Sequence, residues 1–316
     1  MKLHCKHLLK VADLKPKETE RLFALTERLK KRFTQGIREH YLHGVTLGMI
    51  FEKASARTRL SFEVGMRQLG GQALYIGRDE MGIGTRESVK DVAKVISRYL
   101  DAIMIRAKSH EMIAELAGYS NIPVINGLSD MYHPCQALSD AFTIYEKKGT
   151  LKGVKLAFIG DSNNVARSLA VVSLQTGMRF HIASPKGYEF TKEFLATIKP
   201  DSAKHAGSLK MTNDPKAAAR GADVIYTDVW ASMGQEDERL KRLGAFMPFR
   251  VDMKLVRLAK KSVVVMHCLP ARREEEITAE VLDSPRSIVY DQAENRMHVQ
   301  KAILLALMAP GVEIED

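Results

Sequence analysis

The chain has 316 residues, 45% hydrophobic and 27% charged, which excludes a disordered or collagen-like polymer and, at roughly 150 residues per domain, predicts about two folded domains. Lys plus Arg outnumber Asp plus Glu by 48 to 38, a balance of +10 that favours anionic partners. The basic residues form no tail and aromatics are only 7%, so a small anionic substrate is expected rather than nucleic acid.

The N-terminal stretch MKLHCKHLLKVADLK is broken by Lys6 and Lys10 and lacks a signal-peptide core. The longest apolar run, Ala302 to Ala309, is far short of the roughly 20 residues that span a bilayer. Cys5, Cys135 and Cys268 show no CxxC spacing, hence neither a disulfide framework nor a zinc site. A cytoplasmic protein without membrane or nucleic-acid partners is expected.

Leu22, Leu25, Leu29 and Phe33 recur at helical spacing, after which VTLGMIF (45–51), QALYI (72–76), AIMIR (102–106) and IPVI (122–125) read as buried strands. Between them, Val89, Val92, Ile96 and Leu100 mark one face of a helix in 87–100. The charged, glycine-containing EKKGTLKG (146–153) is the best interdomain junction. A second series follows, with strands at 154–160, 178–183, 222–227 and 262–266, a helix over 163–177 closed by Gly177, and a last helix near 292–309. Strand and helix alternating in this way predict an α/β fold built on parallel sheets.

Five stretches carry candidate chemistry. In FEKASARTR a strand ends at Phe51 and Ser55 opens a helix, so unpaired N–H groups and the helix dipole face an incoming anion, with Arg57 and Thr58 adding donors; a plain N-cap with solvated arginines fits the same residues. In YHPCQ, Pro134 suits a first helical turn, and His133 and Gln136, one turn apart, offer a ring nitrogen and a carboxamide to a carbonyl and an amide; an isolated pair of this kind is more often structural. GDSNNVARS lies where a dinucleotide fingerprint would fall, but Ser162 and Val165 replace its second and third glycines; Asn164 suits a carboxylate, or the loop is a simple turn. In TDVWASMGQE and MHCLPA, both directly after strands, Asp228 suits an ammonium group and Ser232 with the Met233 backbone suits an amino acid. Cys268 sits beside His267, but neighbours in an extended chain point apart, so no thiol–imidazole dyad is inferred.

Taken together, FEKxSxRTR, the Met104–Arg106 segment, HPCQ, GDxNNV, DVWxSMGQE, HCLPA and AENRxHxQKA (293–302) resemble, in order and spacing, the aspartate/ornithine carbamoyltransferase family on its ornithine side, over about positions 5 to 310. The resemblance implies two α/β domains, each a parallel sheet flanked by helices: residues 1–148, joined by the C-terminal helix 292–316, for carbamoyl phosphate, and 149–291 for ornithine. It implies a metal- and cofactor-independent transferase of arginine metabolism that makes citrulline from carbamoyl phosphate and L-ornithine, as a homotrimer or an assembly of trimers. Carbamoyl phosphate is expected on Ser55, Ala56, Arg57, Thr58, Arg106, His133, Gln136, Arg296 and the Cys268 and Leu269 carbonyls. Ornithine is expected on Asn164, Asp228, Ser232, Met233 and Cys268. Arg106, His133, Asp228 and Cys268 form the expected catalytic set. Transfer to another amine, such as acetylornithine or putrescine, is the alternative that the SMG segment disfavours. The chain departs from the family at Ala56, at Gly82, where a glutamine commonly reaches the neighbouring subunit, and at Arg272, Arg273 and Glu274; Arg86, or less readily Arg78, is expected to replace the missing glutamine.

Overall fold

The computed structural model describes residues 2–38, 40–202, 207–231, 238–309 and 311. The chain divides into two compact units, Met1–Ser139 with Asn295–Asp316, and Asp140–Glu294. Each is a parallel sheet with helices, as expected of alternating strand and helix.

The first unit holds β1 (Thr46–Phe51), β2 (Gln72–Gly77), β3 (Ala102–Arg106) and β4 (Val124–Leu128) in the order β2-β1-β3-β4. Ile50, Ile103, Ile105 and Val124 pack on one side against Val92, Ile96, Ile113 and Leu116 of the helices Val89–Ile96 and His110–Tyr119. Full burial of each such side chain contributes roughly 1.5–3 kcal/mol. Ser88 starts the first of these helices by accepting the Asp91 N–H at 3.1 Å. β4 runs through Asn126 and Gly127, residues that read as a turn, because the buried Asn126 side chain donates to the Leu9 carbonyl at 2.8 Å and its main chain pairs with Leu8.

The C-terminal helix Val289–Met308 returns to this unit. Lys30 Nζ donates to Asn295 Oδ1 at 2.7 Å and Lys301 Nζ to Gln68 Oε1 at 3.0 Å, ties that span more than 200 residues of sequence.

The second unit holds β5 (Lys155–Ile159), β6 (Arg179–Ala183), β7 (Ser208–Thr212), β8 (Val224–Thr227) and β9 (Val264–His267) in the order β7-β6-β5-β8-β9. The sequence reading has four strands here; the fifth, β7, is an edge strand with most side chains out in solvent, so its SLKMT lacks the apolar run of its neighbours. One face packs Ala157, Ile159, Ile225 and Val265 against Ala218, Val251, Leu255 and Val281. The other carries Phe158 and Tyr226, partners in register whose rings stack at 5.4 Å. Asn163 caps the helix Asn164–Thr176 by accepting from the N–H groups of Val165 and Ala166, and Gly177 ends it in the left-handed region.

Two glycines test this packing in opposite directions. A Cβ on Gly207 would lie 2.6 Å from the Ser173 carbonyl oxygen and 2.7 Å from Leu174 Cα, both main-chain atoms of a helix, so Gly207→Ala should destabilise by about 1–3 kcal/mol. Gly118 is helical with nothing within 4 Å of the added carbon, so Gly118→Ala should stabilise by about 0.5–1 kcal/mol. Denaturant midpoints of the two variants check both signs.

Candidate active site

In the first unit, the register of β1 and β3 sets Phe51 beside Arg106, so the loop that leaves β1 opens its helix, Ala56–Gln68, next to the end of β3. Ser55 is the N-cap; its hydroxyl accepts a long bond from the Thr58 N–H at 3.4 Å and donates to Thr58 Oγ1 at 3.2 Å. The same Thr58 oxygen receives Arg106 Nη1 at 3.4 Å and Arg296 Nη2 at 3.0 Å. Thr58, Arg106 and Arg296 are all buried, whereas Ala56 and Arg57 are exposed in the first turn.

One neutral hydroxyl thus faces three donors, two of them cationic. Two buried guanidinium groups at one oxygen repel each other, and an anion beside the helix N-terminus offsets that repulsion. His133 and Gln136, buried at the start of the helix Pro134–Lys148, belong to the same unit. Burial, then the Arg296 and Arg106 charges, hold the His133 imidazole well below its ordinary pKa, so near neutrality the ring is uncharged.

In the second unit β8 and β9 align Thr227 with His267, and the next residues, Asp228 and Cys268, therefore lie side by side. The Cys268 thiol donates to Asp228 Oδ1 at 3.0 Å, and Asn163 Nδ2 donates to Oδ2 at 2.8 Å. Burial and the adjoining Asp228 carboxylate push the Cys268 pKa well above that of a free thiol, so the sulfur is a protonated donor rather than a nucleophilic thiolate. The arrangement suits a carboxylate that receives an ammonium or amine, with the thiol beside it. Asn164, the expected carboxylate partner, is half-buried in the first turn of its helix. Ser232 and Met233 lie outside the described residues.

His267 bonds the Leu269 N–H and Glu276. Its Nδ1 accepts the Leu269 N–H at 2.9 Å, which leaves Nε2 protonated toward Glu276 Oε1 at 3.0 Å. Through this bond His267 holds Leu269 at φ +59, a left-handed conformation that is strained for a branched side chain. Asp228, His267 and Cys268 offer ligand atoms within 4.8 Å of one another, yet both His267 nitrogens are already committed within the protein.

Residues that the sequence reading missed lie near these positions. Asn163 bridges the capped helix to Asp228. Glu276 binds both His267 and the Arg272 N–H. Buried Arg242 bonds Asp161 and the Trp230 carbonyl, with its guanidinium 4.8 Å from the Tyr188 ring centroid. Of these, only Asn163 has a local signal, an asparagine at the start of a helical run.

The departures are locally accommodated. Gly82 sits at φ +57 with Arg86 Cβ only 2.9 Å from where a Cβ would be, so this loop shape favours glycine. Arg86 folds back to donate to the Glu80 carbonyl at 2.7 Å. Arg273 makes a two-point pair with Asp283, and Glu274 accepts the Ala279 N–H.

Comparison with known proteins agrees with this geometry. Residues 6–146 match the family model described as the aspartate/ornithine carbamoyltransferase carbamoyl-P binding domain, and residues 152–307 match its Asp/Orn binding domain. The chain is 53% identical to an ornithine carbamoyltransferase of Halalkalibacterium halodurans, over 95% of this chain and 94% of that protein. It is 52% identical to one of Bacillus subtilis, over 98% and 96%. Among solved structures, the ornithine carbamoyltransferase of Pyrococcus furiosus superposes with a TM-score of 0.94 at 47% identity, covering 97% of this chain and 98% of that one. With nearly its whole length matched at half identity or better, the chain belongs to the aspartate/ornithine carbamoyltransferase family.

Proposed function

We propose that the protein transfers the carbamoyl group of carbamoyl phosphate to the δ-amine of L-ornithine, forming L-citrulline and phosphate. The observation that carries this reading is the pairing, in one chain, of a buried two-arginine anion site at a helix N-terminus with an Asp–Cys pair, the aspartate buried and the thiol half-buried, suited to an amine. The names of the relatives favour ornithine over acetylornithine or putrescine as acceptor.

In this reading the phosphate of carbamoyl phosphate lies against the first turn of the helix Ala56–Gln68, held by Ser55, Ala56, Arg57 and Thr58, with Arg106 and Arg296. Thr58, Arg106 and the neutral His133 donate to the carbamoyl oxygen, whose charge grows as the tetrahedral intermediate forms. Gln136 and the Cys268 and Leu269 carbonyls hold the carbamoyl NH2. Ornithine sets its carboxylate on Asn164 and the Met233 backbone and its α-ammonium on Asp228 and Ser232, with its δ-amine beside Cys268.

The δ-amine lone pair attacks the carbonyl carbon, the C–O bond to phosphate breaks, and the amine proton is released. Because only the neutral amine attacks and its unperturbed pKa is about that of lysine, about 10.4, the rate should rise with pH below that value. The substrate supplies the nucleophile, so no enzyme-bound carbamoyl group is needed. No metal is needed either, since polarisation of the carbonyl falls to Arg106 and His133. A cytoplasmic location agrees with the lack, among the described residues, of a helix long and apolar enough to cross a membrane.

Assembly as a homotrimer, or as trimers of higher order, is supported by apolar side chains left exposed on the first unit. Leu60 and Val64 of the helix Ala56–Gln68 and Leu74 and Tyr75 of the edge strand β2 are all solvent-facing, Leu60 at 59% and Leu74 at 50%. Sedimentation should give a mass of three chains or a multiple, and Leu74→Glu should shift it to smaller species; a monomeric wild-type protein would contradict this.

The defining assay follows citrulline and phosphate together. Purified protein should release them in equal amounts from carbamoyl phosphate and ornithine, with acetylornithine and putrescine poor substitutes. Asp228→Asn should lower kcat/KM for ornithine by about a hundredfold, the value of a lost charge-assisted bond, while carbamoyl phosphate affinity stays unchanged. Cys268→Ser should retain turnover. Absence of citrulline, or normal ornithine saturation in Asp228→Asn, would overturn the reading.

A further inference from the structure

The β8–β9 register does more than join Asp228 to Cys268. Side chains alternate along a strand, so Tyr226, two residues before Asp228, shares its face, and Met266, the partner of Tyr226, shares the face of Cys268. A tyrosine is thereby set beneath the Asp–Cys pair. Its ring is fully buried and stacks on Phe158, a packing role that phenylalanine would fill equally well. The hydroxyl therefore calls for a separate account, because burying it carries a desolvation cost unless its bonds are satisfied.

Those bonds form a closed array. Tyr226 donates to Asp140 Oδ2 at 2.9 Å, and Gln292 Nε2 donates to Asp140 Oδ1 at 2.7 Å and to the Tyr226 oxygen at 3.1 Å. Gln292 Oε1 in turn accepts the His267 N–H at 2.9 Å, which fixes the amide orientation and ties the array to the main chain just before Cys268. Asp140 and Gln292 are themselves fully or almost fully buried. The acidic groups facing Tyr226 are Asp140, Cys268 and Asp228, and with burial they hold its phenol protonated.

We propose that Tyr226, with Asp140 and Gln292, is a positioning residue that holds the main chain at His267 and so fixes Cys268 against Asp228, where the attacking amine is held. The inference rests on the reading of Asp228 and Cys268 as the amine side of the site. Tyr226 touches no reacting atom in this account; it acts through Gln292 and the main chain that leads into Cys268. A buried array whose members each satisfy one another is rigid, and loss of one member leaves the others short of a partner.

The test uses Tyr226→Phe, which keeps the stacked ring, together with Asp140→Asn and the double variant. In Tyr226→Phe, kcat for citrulline should fall about tenfold, the effect of one lost positioning contact, with carbamoyl phosphate affinity unchanged. Iodoacetamide should label Cys268 severalfold faster at one mildly alkaline pH, because a thiol no longer held against the Asp228 carboxylate ionises more readily; peptide mapping separates Cys268 from the buried Cys135 and half-buried Cys5. The double variant should lose no more activity than Tyr226→Phe alone, as members of one unit do. Unchanged kcat, unchanged or slower labelling, or additive losses would each overturn the proposal. Labelling requires no turnover, so a wild-type protein that forms no citrulline but shows the labelling difference would count against the proposed reaction and not against the Tyr226 array.

Discussion

Two guanidinium groups meeting on one threonine hydroxyl is the arrangement on which the first unit depends. Arg106 and Arg296 are both buried, and each spends a donor on Thr58 Oγ1, an oxygen already bonded by Ser55. Two like charges beside one oxygen at a helix N-terminus favour an anion there. What brings the arginines there is long-range: Arg106 arrives at the end of β3, and Arg296 arrives on the helix Val289–Met308, 238 residues from Thr58. The same two charges, added to burial, keep His133 neutral, so the ring can donate one hydrogen bond without adding a third cation.

The second unit solves the opposite problem, the burial of negative charge. Asp228 has both oxygens engaged, by Asn163 on one side and by Cys268 and the Val229 N–H on the other. Parallel pairing explains why these groups coincide, since strands that run the same way release their following loops at one edge of the sheet. Asn163 follows β5, Asp228 follows β8 and Cys268 follows β9. His267 and Glu276 then shape the turn beyond β9, where Leu269 is held at positive φ.

Much of this was legible because burial leaves a mark on sequence. Strands β1, β3 and most of the second sheet are runs rich in Ile, Val, Leu, Met and Phe, whereas β2, read as a buried strand from QALYI, is an edge strand with exposed or half-buried side chains; Ser88 and Asn163 mark helix starts by their side-chain chemistry, and Gly177 ends a helix because it lacks a Cβ. β7 left no such mark, because an edge strand with exposed side chains needs no apolar run. Site residues next to strand ends, such as Asp228 and Cys268, could be placed from local pattern alone. The convergence of Arg106 and Arg296 on Thr58, and that of Asp140, Tyr226 and Gln292 on one another, could not, because tertiary pairing across as many as 238 residues has no local signature. For Tyr226 a hint existed: a tyrosine inside a fully buried strand needs a partner for its hydroxyl, two residues before an aspartate on the same face.

The central claim is that the first unit's buried arginines are set for an anion, and thermal unfolding with carbamoyl phosphate alone, in the absence of any amine, tests it most directly. A ligand at about 100 times its Kd stabilises the folded state by about 2.7 kcal/mol, so the unfolding midpoint of the wild-type protein should rise with carbamoyl phosphate concentration. In Arg296→Ala the ligand-dependent rise, measured from that variant's own unliganded midpoint, should disappear. A wild-type midpoint indifferent to carbamoyl phosphate, or a full ligand response retained in Arg296→Ala, would contradict the account.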